Sequence, residues 1–259
     1  FKMSSSTTNH FNVVSVGEAL VDMFCDSPSG EQWRAAVGGS PLNVAITTGR
    51  LIGASQHTII SFIGVLSKDR LGSLIRRTAT SSNVNLDKCP IVDAPTTIAM
   101  VTQQPKDDEA SFAFHLSGTT NAVDACQQID IAIDFPQILH MSGSVSLIVE
   151  PYVKVYESIL DKTNALKHFD PNPRELLIDS LSAKQHYLEK LLKWISMVDI
   201  LKISKADMEW LFPDQDVVKL VRDWRVLSVE EKGPLVVILT KGAEGASAYF
   251  CDEHGKPDS

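Results

Sequence analysis

A chain of 259 residues, 44% hydrophobic and 22% charged, can bury one large core and reads as an ordinary globular domain. Its net charge of −8 excludes a broad basic surface, so neither nucleic acid nor an anionic membrane is an expected partner. A few local donors still suffice to hold a nucleotide. Cys25, Cys89, Cys126 and Cys251 are scattered, with no Cys-x-x-Cys pair, which suits reduced thiols and a cytoplasmic location better than disulfides or zinc.

Residues 1–11 are polar, rich in Ser and Thr and without an apolar core, so they read as a disordered tail before one domain over 12–259. The first apolar run, 13–17, predicts a strand that ends in a loop carrying Asp22, a carboxylate able to accept two hydroxyls. Residues 23–37 read as extended and irregular. Gly38-Gly39 then leads into a helix over 41–52, with Ser40 as N-cap, Pro41 at the first helical position and Gly53 as a stop. Backbone without side chains beside the positive end of a helix lets a small polar ligand approach closely, and Asn43 can both donate and accept there. The plain alternative for Gly38-Gly39 is a tight strand-to-helix turn.

Further along, strands are predicted at 59–65, 198–203 and 235–240, and helices at 69–80, 151–164, 183–197 and 216–224. Strands alternating with helices imply βαβ units and a mostly parallel sheet covered on both faces. Residues 96–101 and 111–116 look like a hairpin around the polar loop 103–109, and with 23–37 they predict a small accessory sheet.

Several polar residues sit at the ends of these elements. Glu150 begins a helix, where a carboxylate is favoured in any case. Asn172 and Arg174 follow a short strand, and an arginine there faces the crevice in which open α/β sheets bind ligands. Ser204 and Asp207 form a capping-box pattern at the start of the helix carrying Met208, Leu211 and Phe212. Thr240, Gly242 and Gly245 follow the most apolar strand, at a turn into 246–250. There is no Gly-x-x-x-x-Gly-Lys-Ser/Thr loop, no Rossmann Gly-x-Gly-x-x-Gly after the first strand and no Gly-x-Ser-x-Gly elbow. P-loop, dehydrogenase and hydrolase chemistry therefore lack support.

Taken in order, Gly17-Glu18-Ala19-Leu20-Val21-Asp22, the Gly38-Gly39 helix start, Lys68-Asp69-Arg70-Leu71-Gly72, Asp170-Pro171-Asn172-Pro173-Arg174 and Thr240-Lys241-Gly242-Ala243-Glu244-Gly245 resemble the PfkB (ribokinase-like) carbohydrate kinases, leaning to the fructokinase branch. The resemblance implies a three-layer α/β/α ribokinase-like fold, with a mostly parallel central sheet and a small β-sheet lid built from segments near 23–37 and 96–117. It implies ATP and Mg²⁺, transfer to a hydroxyl of fructose, and a homodimer through the lid. Asp22, Gly38, Gly39, Asn43 and Glu150 correspond to sugar contacts. Asn172, Arg174, Ser204, Thr240, Gly242 and Gly245 correspond to phosphate and nucleotide contacts. Asp207 corresponds to a residue that organises the metal through water, although Ser204 and Asp207 depart from the family's Asn-x-x-Glu. The pattern's Gly-Ala-Gly-Asp segment, whose aspartate is the catalytic base, is not among these residues. It is expected beyond Ser259, so no catalytic residue is assigned and the chain as given is expected to be inactive. Kinases for 2-keto-3-deoxygluconate or ribose, and a non-catalytic sugar-binding protein, are the alternative readings.

Overall fold

The computed structural model describes residues 11–25, 30–55, 57–103, 110–122, 129, 137–143, 145–221, 223–224 and 233–250. A central sheet has the strand order β14-β13-β12-β11-β10-β1-β4-β6. Its members are β1 (Phe11–Val16), β4 (Thr58–Ile63), β6 (Val84–Asn85), β10 (Ile138–Ser142), β11 (Leu166–Asp170), β12 (Ile200–Ser204), β13 (Val236–Thr240) and β14 (Ala246–Phe250). Every pairing is parallel except β13 with β14, a hairpin closed by a short 3-10 turn at Gly242–Glu244. The parallel, layered architecture expected from the alternating apolar runs is the observed one.

The helices are α1 (Ser40–Ile52), α2 (Arg70–Ser81), α3 (Val145–Ile148), α4 (Glu150–Lys162), α5 (Leu181–Ile195) and α6 (Lys205–Leu211). Residues 217–221 and 223–224 are also helical, as the sequence predicts. One core lies between the sheet and α3–α6, where Tyr152, Tyr156, Tyr187 and Trp194 pack against Leu139, Phe169 and Leu201. Trp194 meets the Tyr156 ring edge-on at 5.9 Å. Burial of such rings supplies the largest share of the packing energy. A second core forms where α1 and α2 cover β1 and β4, through Leu42, Ala45, Ile46, Ile75 and Ala79 against Ile60 and Phe62.

A separate four-stranded sheet has the order β3-β2-β8-β9, from β2 (Leu20–Cys25), β3 (Trp33–Gly38), β8 (Ile98–Gln103) and β9 (Ala110–His115). The accessory sheet is therefore present. Residues 20–38 are more regular than expected, because β2 and β3 pair antiparallel in register from Leu20–Gly38 to Cys25–Trp33. Asp22 accordingly sits within a strand opposite Ala36, not in a loop after β1. The predicted strand 59–65 stops at Ile63, and Leu66–Ser67 form a short β5 paired with β7 (Ile91–Val92). The expected tail over residues 1–10 and the hairpin loop 104–109 lie outside the described residues.

Candidate active site

The carboxyl ends of the parallel strands are brought to one edge of the sheet. Val16 pairs with Met141, Ser142 with Asp170, and Ser204 with Thr240. In an open parallel sheet this edge is where ligands bind, because the connecting loops diverge there.

At one end of this edge, under the accessory sheet, lies a cavity of about 650 Å³. Asp22, Gly39, Asn43, Asn172 and Arg174 line it, with Glu18, Thr47, Phe24 and Phe114. Five residues quoted from distant parts of the sequence thus meet in one space. Phe24 and Phe114 come from the accessory sheet, which roofs the cavity with apolar surface. Asp22 is half-buried, which raises its carboxyl above the usual range, while the Arg174 guanidinium pulls it back down. Arg174 donates to Asn172 Oδ1 at 2.8 Å, and Asn172 is held in the left-handed region at φ 40°. This contact fixes the guanidinium fork toward the cavity.

Gly39 lines the cavity and Gly38 does not. A Cβ at Gly38 would lie 2.2 Å from Asp22 Oδ2, and one at Gly39 would lie 2.5 Å from the Glu18 carbonyl oxygen. The space beside them is taken by the protein's own Asp22 and Glu18, so Gly38 makes room for a site carboxylate and not directly for a ligand. Gly39, at φ 100°, is the N-cap of α1, and Ser40 is its first helical residue; the predicted cap shifts by one position. Ser40 Oγ instead bonds Ser142 Oγ at 2.5 Å, and no side chain caps the helix locally.

Glu18 was not foreseen. It is 5% exposed, and its carboxyl accepts from its own backbone N–H and from that of Ser40, while Oε2 is buried with no partner. Burial pushes its pKa up to about 7. The hint in the sequence was an acid set between Gly17 and Ala19 at the end of a buried apolar run.

The other site residues divide. Glu150 is absent from the cavity: it is exposed, its carboxylate accepts from Lys190 on α5, and His186 lies 3.7 Å away. The short α3 lies between the end of β10 and Glu150, which leaves the start of α4 facing α5. Glu150 thus lies apart from the cavity that Asp22, Gly39 and Asn43 line. Ser204 caps α6 by accepting from the Asp207 N–H at 3.0 Å, and Asp207 accepts from the Ser204 N–H at 3.2 Å, so the capping box forms. Asp207 also faces Asp170 electrostatically. Asp170 is bound to Lys202 Nζ at 2.9 Å, with Oδ1 buried and unpartnered. Thr240, Gly242 and Gly245 surround the turn after β13, outside the cavity, with open space beside both glycines. Gly242 at φ 57° and Gly245 at φ 87° meet the conformational demand of that turn.

Among the described residues no three His, Cys, Asp or Glu side chains converge as a complete metal site. Mg²⁺ does not require one. It commonly keeps several waters and uses one or two carboxylates plus substrate phosphates, and Asp170 beside Asp207 fits that demand.

The model of the pfkB family of carbohydrate kinases matches residues 10–257. The chain belongs to this family. A fructokinase of Rhizobium leguminosarum bv. trifolii is 32% identical over 244 residues, covering 93% of this chain and 70% of that protein. The fructokinase of Xylella fastidiosa, solved with bound ATP, superposes with TM-score 0.76 at 21% identity over 93% of this chain and 75% of its own. A double mutant of the Vibrio cholerae fructokinase, solved with fructose, ADP and potassium, gives TM-score 0.74 at 21% identity over 94% and 74%. These likenesses establish the ribokinase-like pfkB fold, and the family makes the chain a sugar kinase. No described helix is long and apolar enough to cross a membrane.

Proposed function

We propose that this pfkB-family chain is of fructokinase type, binding fructose in the roofed cavity and ATP along the strand-end edge toward Ser204 and Thr240. The observation that carries the reading is the convergence of Asp22, Asn43, Asn172 and Arg174 on one cavity. The name of the 32% identical relative supports fructose as the acceptor. Asp22 and Asn43 hold sugar hydroxyls. Arg174, a planar donor fork at the boundary between the two ends, meets the transferring phosphoryl group. Phe24 and Phe114 keep water from the acceptor hydroxyl. Asp207, with Asp170, would hold Mg²⁺ through water, and the bound ion would neutralise phosphate charge. Thr240, Gly242 and Gly245 contact the nucleotide.

In the transfer, the acceptor oxygen bonds to the γ-phosphorus, ADP leaves, and the hydroxyl proton passes to a base. The sequence here carries no Gly-Ala-Gly-Asp segment, and no residue in it is given that role. The same reading carries a homodimer through the lid, whose β3 lies at the edge of the accessory sheet, and a cytoplasmic location.

Calorimetric titration with D-fructose, with and without an ATP analogue and Mg²⁺, tests the function. Saturable fructose binding that disappears in Asp22→Ala supports it. Absence of binding by fructose, with saturation by 2-keto-3-deoxygluconate or ribose, replaces fructose by that sugar.

A further inference from the structure

Glu18 combines features that a purely structural carboxylate does not need. It comes from the segment between β1 and β2, lines the cavity beside Asp22, and is nearly inaccessible to bulk solvent. The fold makes room for it at a distance of 125 residues in sequence: Gly143, at φ 99°, presents bare backbone, and a Cβ there would lie 2.0 Å from Oε1 and 2.1 Å from Oε2. One part of the carboxyl is tied down by the backbone N–H groups of Glu18 and Ser40. That leaves Oε2 buried without a donor. A buried acceptor with no partner costs about 1–3 kcal/mol, so a chain that builds a recess for one needs a donor to complete it.

We propose that Glu18 is a specificity-determining residue of the sugar site, its Oε2 accepting one hydroxyl of the bound polyol beside those held by Asp22. The assignment rests on the sugar-binding reading of the cavity. The charged group that acts on Glu18 is the Arg174 guanidinium from the segment after β11, and the Asp22 carboxylate from β2 lines the same cavity. The Tyr187 hydroxyl on α5 is the further titratable group within electrostatic reach. Arg174 offsets the charge of the two acids, which lets both accept hydroxyls in one space. A ligand with adjacent hydroxyls satisfies both, and one lacking the hydroxyl at Oε2 leaves that atom unpaired. Discrimination against the deoxy analogue is the expected consequence.

The test titrates D-fructose, its monodeoxy analogues and D-ribose into wild type and Glu18→Gln at a pH well above 7, where the Glu18 carboxyl is ionised, with a melting curve for each protein. Glu18→Gln is expected to weaken fructose binding about 10- to 100-fold, the range for a hydrogen bond to a charged group. Wild type is expected to reject one monodeoxy fructose far more strongly than the others, and the variant is expected to lose that rejection. Equal fructose affinity and an unchanged analogue pattern, whatever the melting temperature, overturn the proposal and leave Glu18 a support for α1. Should wild type bind ribose and not fructose, the fructose reading falls and the same comparison is made with ribose. Absence of heat from every sugar removes both readings. If Glu18→Gln does not fold, Glu18→Asp keeps the acid but withdraws it by one methylene. The same loss is then expected, and undiminished binding overturns the proposal.

Discussion

Asp22 Oδ2 occupies the volume in which a side chain at Gly38 would begin, with only 2.2 Å between the two. The residues are diagonal neighbours on one face of the β2–β3 hairpin, two positions out of direct register, since Asp22 pairs with Ala36 and Leu20 with Gly38. Gly38→Ala should therefore push the carboxylate out of its cavity position while leaving both cores intact. The expected result is at least about a tenfold loss of fructose affinity, comparable to losing one hydrogen bond to a charged group, with a small change in melting temperature. Titration and a thermal melt on the same preparation check it. Unchanged affinity would show that Asp22 is not held in place by this glycine.

Asp207 and Ser204 carry two roles that single substitutions separate. Ser204→Ala removes the cap acceptor and should cost about 0.5–2 kcal/mol of stability. Asp207→Asn keeps a side chain able to accept from the Ser204 N–H but removes the charge beside Asp170. If Asp207 organises Mg²⁺, the asparagine variant should weaken binding of Mg²⁺ with an ATP analogue and leave fructose binding alone. Equal nucleotide affinity in wild type and Asp207→Asn would confine Asp207 to the capping box.

Much of the fold was legible because a buried parallel strand is a short apolar run and its partner helix repeats apolar residues every three or four positions. Asp22, Asn43, Asn172 and Arg174 were legible as residues of one cavity because they fall at or near strand and helix ends, where an α/β sheet gathers its loops. Glu150 shows the limit of that rule. It too sits at a helix start, yet whether that start faces the cavity depends on the intervening α3, which short-range pattern does not reveal. Glu18 needed Gly143 to explain it, and no local spacing connects the two. The β2–β3 hairpin was not legible because Trp33, Arg34, Ala35, Ala36 and Val37 do not alternate apolar and polar residues as a half-buried strand should. Glu150→Ala should accordingly leave fructose affinity unchanged, and a large loss in the titration would return Glu150 to the sugar site.

Acid and base should act on this chain in opposite senses through buried groups. His140 and His168 stack at a 4.8 Å centroid distance, with Nδ1 atoms 2.7 Å apart. Burial is the largest cause holding their pKa values down to about 3 and about 4. Between those values and 6.5 the unfolded chain holds protons that the folded chain refuses, so this pair withdraws stability as pH falls below 6.5. Glu18 works the other way. Its pKa rises from 4.5 to about 7, so between those values the folded chain keeps a proton that the unfolded chain releases. Its contribution is full below 4.5 and lost as pH rises through 7, a change on the order of 3 kcal/mol. Denaturant melts from pH 5 to 8 should show wild type losing stability relative to Glu18→Gln as pH rises. A difference between the two proteins that stays constant across this range would remove Glu18 from the balance.

Along one row of the sheet, cover thins from the middle outward. Register places Phe62, Ser15, His140 and His168 side by side, continuing to Ile200, Val236 and Phe250. Directly paired residues point to the same face, so this row is one strip of surface. Phe62 is fully buried in the core with α1 and α2, His140 is buried and His168 half-buried. Ile200 and Val236 are half-buried, and Phe250 is 53% exposed. Leu166, one pair further along β11 on the same side, is 42% exposed. The described helices of the larger core pack on the opposite face, so the β11–β14 end carries apolar side chains toward solvent. Such a contiguous patch binds apolar dyes and promotes association. The chain as given should enhance the fluorescence of an apolar reporter dye in the native state, and Leu166→Lys with Phe250→Lys should reduce that signal by more than half without lowering the melting temperature. Phe250→Lys is the more diagnostic of the two, because β14 is the outermost strand and its substitution leaves every parallel pairing in place. A native protein that gives no dye signal would overturn the exposure of this strip.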